Sequence, residues 1–292
     1  MRADVLLVER GLAPSRTAAQ RLIAGGHVFA HVGASRNAIG KPSVDVANDV
    51  RLEVEASELD RYVSRGGLKL DGALDHVALD VKNFVCLDVG QSTGGFTDCL
   101  LQRGVARVIG VDVGHDQLHA KLRNDSRVTC IEGVNARELT LTTVGAALPR
   151  PVAAQAKPIP TPAFPSNGSE RSRQSRSYSV TVAYPSAFVV EPFDLIVADV
   201  SFISLTKVLP QWPAMLGAHG RVLSLVKPQF EVGAENLARG GIVRDESLFA
   251  GIEETIQNCC KENSLKVLDY FASSITGTDG NREFFVYAEK AT

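Results

Sequence analysis

Cysteine is scarce in this chain and shows no pairing. The five residues, Cys86, Cys99, Cys130, Cys259 and Cys260, are odd in number, sit mostly among apolar neighbours and lack paired metal-ligand spacing. That excludes a disulfide-stapled scaffold, and buried thiols in a reducing, cytoplasmic setting are expected, with no metal. Long apolar runs are also missing. The run around Leu195 to Leu205 is broken by Asp199, so no segment reads as a membrane span. The N-terminus lacks the charged-then-apolar pattern of a secretory leader. An excess of one charge is absent too: 31 Lys and Arg face 33 Asp and Glu, a net charge of -2. Any contact with nucleic acid must therefore come from a local patch.

What is present divides the 292 residues into unlike regions. From Met1 to about Val54, two short helical patterns precede short strands. The first helix stops at Gly11, and Ser15 offers an N-cap to a second that closes at Gly25-Gly26. His27 to Val32 and Val50 to Val54 read as strands. An acidic stretch from Asp45 to Asp60 leads out of this module, which is placed at residues 1–60. From 61 to 292, strands alternate with helices. Strands are expected at Phe84 to Val89, Arg107 to Val113, Val128 to Ile131, Asp194 to Val200 and Arg221 to Val226. Helices are expected at Gly94 to Arg103, His115 to Leu122, Ser204 to Leu216 and Ser247 to Lys261. Two closing strands, Leu265 to Phe271 and Glu283 to Ala288, have a short connection, so the last runs antiparallel. The fold class is α/β, a Rossmann-like, mostly parallel sheet with a small α+β domain at its N-terminus. Between the halves, Leu148 to Pro192 holds eight of the thirteen prolines and the basic residues Arg171, Arg173 and Arg176. It reads as a disordered insertion at 148–190.

The segment Asp88-Val-Gly-Gln-Ser-Thr-Gly-Gly-Phe-Thr-Asp98 follows an apolar strand and opens a helix, where a doubly wound sheet binds ligands. Gly90, Ser92 and Gly95 fall on the G-x-G-x-x-G positions, but the middle glycine is serine and no P-loop lysine follows. A dinucleotide or nucleoside triphosphate is therefore disfavoured. Asp88, just before the first glycine, suits an ammonium group and repels a phosphate. Asp112, near the end of the next strand, can accept both ribose hydroxyl protons. The loop thus favours S-adenosylmethionine, held by Asp88, Gly90, Ser92, Thr93, Gly94, Gly95 and Asp112, with adenine beside Val134, Asn135 and Ala136.

At these residues the sequence resembles the TlyA, or hemolysin A, family within the FtsJ-like methyltransferases. The resemblance rests on Ser64-Arg-Gly-Gly-Leu-Lys69, Asp88 to Asp98, Asp199-Val-Ser-Phe-Ile-Ser204, Lys227-Pro-Gln-Phe-Glu231 and Gly280-Asn-Arg-Glu283. It implies ribose 2'-O-methylation of ribosomal RNA, at cytidine, by a tetrad carried onto Lys69, Asp199, Lys227 and Glu283. The expected topology agrees. Asp199 and Lys227 end parallel strands, Glu283 begins an antiparallel one at the same edge, and Lys69 precedes the first strand on a helix. A 2'-hydroxyl is a poor nucleophile, so a lysine beside a second lysine and partly out of water is the expected general base, here Lys227. Gln91 stands where a small residue is commoner in the family.

The resemblance also makes residues 2–52 look like an alpha-L RNA-binding module. Within Met1 to Lys41, six basic residues oppose Asp4 and Glu9, an excess of four positive charges. Arg2, Arg16 and Arg21 are the expected RNA contacts, and ribosomal RNA or ribosomal subunits the partner, with no obligate protein partner and no membrane. Competing readings are a nicotinamide-dependent dehydrogenase, a non-catalytic ribosome-binding protein and a membrane-lytic hemolysin. The glycine loop and tetrad argue against the first two; the lack of a membrane span or strongly amphipathic basic helix argues against the third.

Overall fold

The computed structural model describes residues 1–13, 15–33, 35–55, 61–147 and 192–291. The expected insertion at 148–190, with Arg171, Arg173 and Arg176, lies outside them. At the N-terminus, helices α1 (Ala3–Glu9) and α2 (Arg16–Ala24) accompany strands β1 (Val28–Val32), β2 (Ser35–Ala38) and β3 (Arg51–Val54), which form an antiparallel sheet in the order β2-β1-β3. Ser15 Oγ accepts the Ala18 N–H at 3.2 Å, the cap that the sequence led one to expect. These elements share one apolar cluster, including Leu6, Leu7, Leu22, Ile23, Val28 and Leu52, whose buried members all lie between Ala3 and Leu52.

After helix α3 (Gly66–His76) the chain alternates: β4 (Val85–Val89), α4 (Gly95–Gln102), β5 (Arg107–Asp112), α5 (Ala120–Arg123), β6 (Val128–Glu132) and α6 (Leu141–Ala147). It resumes with β7 (Phe193–Ala198), β8 (Leu216–Val226), α7 (Pro228–Glu231), the short hairpin β9 (Leu237–Ala238) and β10 (Ile242–Val243), α8 (Leu248–Glu262), β11 (Leu265–Ala272) and β12 (Phe284–Lys290). Seven strands form one sheet, ordered β11-β12-β8-β7-β4-β5-β6. Only β12 opposes its neighbours: it is antiparallel to both β8 and β11, as the short closing connection required.

Strand alternation distributes the core between the two faces. Leu87, Val89, Ile109 and Val111 join Trp212, Ile252 and Ile256 in one cluster, while Cys86, Val108, Leu195 and Val197 join Leu70, Leu74 and Leu100 in the other. Asp88 and Gly110 fall on this second face, under α4. The chain leaves β4 on one side for β5 and β6, then returns to place β7 on the other. The switch point between β4 and β7 opens the crevice where such sheets bind ligands.

Two expected helices are shorter or absent. Ser204 to Leu216 forms only two single-turn 3-10 segments, Leu205–Lys207 and Leu209–Gln211, because Pro210 and Pro213 each remove a backbone donor. His115 to Leu122 contracts to Ala120–Arg123, since Asp116 takes a left-handed backbone (φ 55°) and His119 caps the turn. Among the described residues no helix is long and apolar enough to cross a membrane.

Candidate functional site

The glycine loop between β4 and α4 has its shape for packing reasons that can be assigned residue by residue. Gly90 takes φ +82°, and a Cβ there would lie 2.8 Å from the Asp199 carbonyl oxygen. Gly94 takes φ +93°, with Leu122 and Leu118 in the space that a side chain would need. A Cβ on Gly95 would meet Ser64 Oγ and the backbone of Gly66 and Gly67, so this glycine lets α3 and α4 approach closely. Asp112 ties the loop to the end of β5: its two oxygens accept Ser92 N–H and Gly114 N–H, each at 2.7 Å. Ser92 Oγ donates to Gln117 Oε1.

Beside this loop, the four charged residues expected to converge do so. Lys227 Nζ lies 2.6 Å from Asp199 Oδ1, and Lys69 Nζ lies 2.5 Å from Glu283 Oε2. Asp199 follows the last residue of β7 and Lys227 the last of β8; Glu283 precedes β12, whose Phe284 pairs with Val226. Side-chain exposures are 11% for Lys227, 24% for Asp199, 10% for Lys69 and 3% for Glu283. Burial raises the Glu283 carboxyl above its ordinary range, with Lys69 opposing the shift. Ion pairs this buried gain little stability over apolar residues of the same volume, because desolvation offsets attraction. Two of them side by side therefore call for a chemical reason.

All four residues line a cavity of about 710 Å³, within the range of small-molecule sites. A second, smaller cavity of about 150 Å³ is lined by the loop residues Gly90, Gln91, Ser92, Thr93 and Gly95. Thr93, Asp199 and Lys227 belong to both. The ion pair of β7 and β8 thus stands between a space walled by the glycine loop and a larger one open to a second reactant. Among the described residues, no group of three or more His, Cys, Asp or Glu side chains is arranged to hold a metal ion.

Not every expected cofactor residue reaches these cavities. Asp88 is 1% exposed and lines neither; its Oδ2 accepts from Thr97 Oγ1 at 2.6 Å, while Oδ1 is buried without a partner. Asp112 and Asn135 also line neither. Asn135 instead accepts the Arg137 N–H and caps the turn Ala136–Glu138. Asp98, the last residue of the loop motif, is structural: it accepts from Val63 N–H, Gln102 and Lys121.

Residues that the sequence reading passed over complete the site. Ser201 Oγ accepts from Lys227 Nζ at 2.8 Å. Phe202 is 91% exposed, takes φ +63° and lines the larger cavity, its ring 5.3 Å from that of Phe230. A left-handed backbone costs a bulky residue roughly 1–3 kcal/mol, and an exposed aromatic ring recovers none of it by burial. Nothing in the sequence marked it beyond its place in the segment that follows Asp199. Opposite, Asn281 is buried, donates to the Gly241 carbonyl and accepts Val243 N–H, which fastens the β9–β10 hairpin against the cavity.

In the N-terminal module the structure changes the meaning of one residue. Asp4, counted in the sequence as a charge against RNA, is fully buried and accepts from Arg2, Arg16 and Gln20. Burial alone would raise its carboxyl; those three hydrogen-bond partners outweigh it and hold it well below the usual carboxylate range. Arg2 and Arg16 remain 43% and 55% exposed, so one carboxylate sets two guanidinium groups on one surface. Arg21 lies on α2, and its side chain is outside the described residues.

Comparison with known proteins gives consistent matches. The family model for FtsJ-like methyltransferases matches residues 62–290, and that for the S4 domain matches residues 1–29. The chain is 35% identical over 291 residues to the 16S/23S rRNA (cytidine-2'-O)-methyltransferase TlyA of Mycobacterium tuberculosis, covering 100% of this chain and 90% of that protein. It is 32% identical to Hemolysin A of Brachyspira hyodysenteriae, covering 98% of this chain and 99% of the relative. A solved structure described as a hemolysin, from Streptococcus thermophilus, superposes with a TM-score of 0.65 at 33% identity, covering 100% of this chain and 88% of that one.

Proposed function

The chain belongs to the FtsJ-like methyltransferase family, and from that membership we propose that it methylates the ribose 2'-hydroxyl of a cytidine in ribosomal RNA, in the cytoplasm, using S-adenosylmethionine. The observation that carries this reading is the pair of lysine–carboxylate contacts, Lys227–Asp199 and Lys69–Glu283, lining one cavity beside the glycine loop. The loop fits the cofactor. Gly90 and Gly95 leave no room for side chains of their own, and the unpartnered, buried Asp88 Oδ1 is an acceptor suited to an ammonium group. When bound, S-adenosylmethionine supplies a methyl group activated by its sulfonium.

The remaining steps belong to the side chains. Lys227 Nζ, unprotonated at that moment, takes the proton from the 2'-hydroxyl oxygen. Asp199 and Ser201 hold Lys227 at 2.6 and 2.8 Å, which fixes where that proton is received. Lys69, held by Glu283, orients the ribose or its phosphate across the cavity. Phe202 stacks on the target base and keeps it out of the RNA helix. Phe202→Ala is expected to lower kcat/KM roughly ten- to a hundredfold, since stacking on an aromatic contributes about 1–3 kcal/mol per base, with Phe202→Tyr close to wild type. Equal losses in cofactor affinity and in kcat/KM would contradict this role.

Residues 1–60 are assigned as the RNA grip and 61–292 as the methyltransferase unit. Arg2 and Arg16, steadied by Asp4, contact phosphates. Replacing both with Gln should weaken RNA binding across sequences and flatten the slope of log affinity against log salt by roughly 2. Filter binding at several salt concentrations measures it; an unchanged slope would remove these arginines from the interface.

A further inference from the structure

Beneath the glycine loop lies a buried chain of polar side chains that ends on Asp88. On the parallel strands β4 and β5, Asp88 and Gly110 are register partners, and both face α4. The space that a side chain on Gly110 would take is filled by Gln91: a Cβ there would lie 2.0 Å from Gln91 Cδ and Nε2. Gln91 Nε2 donates to Thr97 Oγ1 at 2.8 Å, and Thr97 Oγ1 donates to Asp88 Oδ2 at 2.6 Å. A hydroxyl carries one proton. With Gln91 on a lone pair of Thr97, that proton is committed to Asp88. Two oxygens of the chain, Asp88 Oδ1 and Gln91 Oε1, stay buried without a partner among the described residues. Unpaired buried acceptors are costly, and two in one three-residue chain require a donor.

We propose that Gln91 is a positioning residue of the cofactor site: seated on Gly110, it holds Asp88 through Thr97 so that Asp88 Oδ1 receives the cofactor's ammonium. The proposal rests on the reading of the chain as S-adenosylmethionine-dependent. The surroundings of Asp88 favour its acid form until the ammonium arrives. Burial pushes the Asp88 carboxyl up to about 7; the Thr97 hydroxyl opposes the shift, and the charges of Asp199 and Asp112 add to it. Besides Thr97, the groups around Asp88 are Cys86 on its own strand, Asp112 ending β5, Cys130 on β6 and Asp199 after β7. Both thiols are pushed up by burial and stay neutral, and none of these groups is a cation.

The ammonium needs the ionised carboxylate, so cofactor affinity should rise with pH through the Asp88 titration and level off above it. Calorimetric titration with S-adenosylhomocysteine, which carries the same ammonium, from about pH 5.5 to about pH 8.5 tests this. Wild type should lose up to about tenfold in affinity per pH unit below the midpoint. Gln91→Met fills the same space without an amide. It should bind roughly five- to tenfold more weakly at about pH 8, with the midpoint moved to higher pH, because the Thr97 proton is no longer committed to the ionised carboxylate. Gly110→Ala, which must evict Gln91, should reproduce both effects, and adding it to Gln91→Ala should cost nothing further. Melting of the empty proteins confirms that each is folded. An unmoved midpoint in Gln91→Met, additive losses in the double variant, or pH-independent binding by wild type overturns the proposal and leaves the cofactor reading standing. A wild-type protein that binds no S-adenosylhomocysteine at any pH overturns both.

Discussion

Lys227→Ala is expected to lower kcat for methyl transfer by a factor of about 10²–10⁴, the usual contribution of a positioned proton acceptor. Affinity for S-adenosylhomocysteine should stay within about threefold of wild type. The split follows from position. Lys227 lies between the two cavities, but the loop that builds the smaller one keeps its shape through the Gly90 approach to Asp199 and the Asp112 contacts, none of which uses Lys227. Lys227→Arg should not rescue the rate, because a guanidinium keeps its proton and its fork does not fit a site built around one nitrogen. Single-turnover assays on ribosomal RNA, with calorimetry on the same preparations, separate the two quantities. Normal turnover by Lys227→Ala would remove it from the reaction; an equal collapse of cofactor binding would make it a binding residue.

The second large effect concerns the other ion pair. Glu283→Gln leaves Lys69 charged, almost fully buried and without its counter-charge. Breaking a buried pair on one side costs about 3–5 kcal/mol of stability. The double variant Lys69→Met/Glu283→Met should regain most of that stability, since replacing both partners by apolar residues is neutral or stabilising. Methyl transfer should stay at least about a hundredfold down in both. Chemical denaturation read beside the methylation assay is decisive: recovery of activity along with stability would show that Lys69 and Glu283 hold the fold and have no chemical task. Retained stability in Glu283→Gln would mean that water reaches this pair more freely than a 3% exposed carboxylate suggests.

How much could be read in advance differs between the two halves of the site. The family resemblance picked out the tetrad, and pattern alone placed its members at one edge: an apolar strand ending in Asp199, another ending in Lys227, and a closing strand that must turn back because its connection is short. The contacts within the tetrad were not legible. Sequence suggested one lysine beside another; folding gave each lysine its own carboxylate, a choice set by which side chains reach across the β7–β8 and α3–β12 boundaries. Asp88 was legible by its position and not by its surroundings. Its place before the glycines pointed to a ligand; that α4 covers it, and that Thr97, one turn into that helix, takes one oxygen and leaves the other unpartnered, only the fold decided. Phe202 was hidden because exposure and a left-handed backbone are properties of a folded loop, and an apolar letter in a motif carries neither.

Local order, then, was settled by sequence alone. Prolines at 210 and 213 remove backbone donors whatever surrounds them, so any helix there had to break, even though the apolar pattern argued for one. Gly90 and Gly94 allow the positive φ that their loop requires, and alternating apolar residues assign each strand its two faces. These effects act between neighbours in the chain, where covalent geometry and a period of two or 3.6 residues suffice. Tertiary structure alone decided that Asp4 steadies two arginines instead of opposing them, that Gln91 fits only because Gly110 on another strand has no side chain, and that four charges share one cavity. Each depends on the distance between residues far apart in sequence, and the energy of a charge or a buried amide is set by what surrounds it in space.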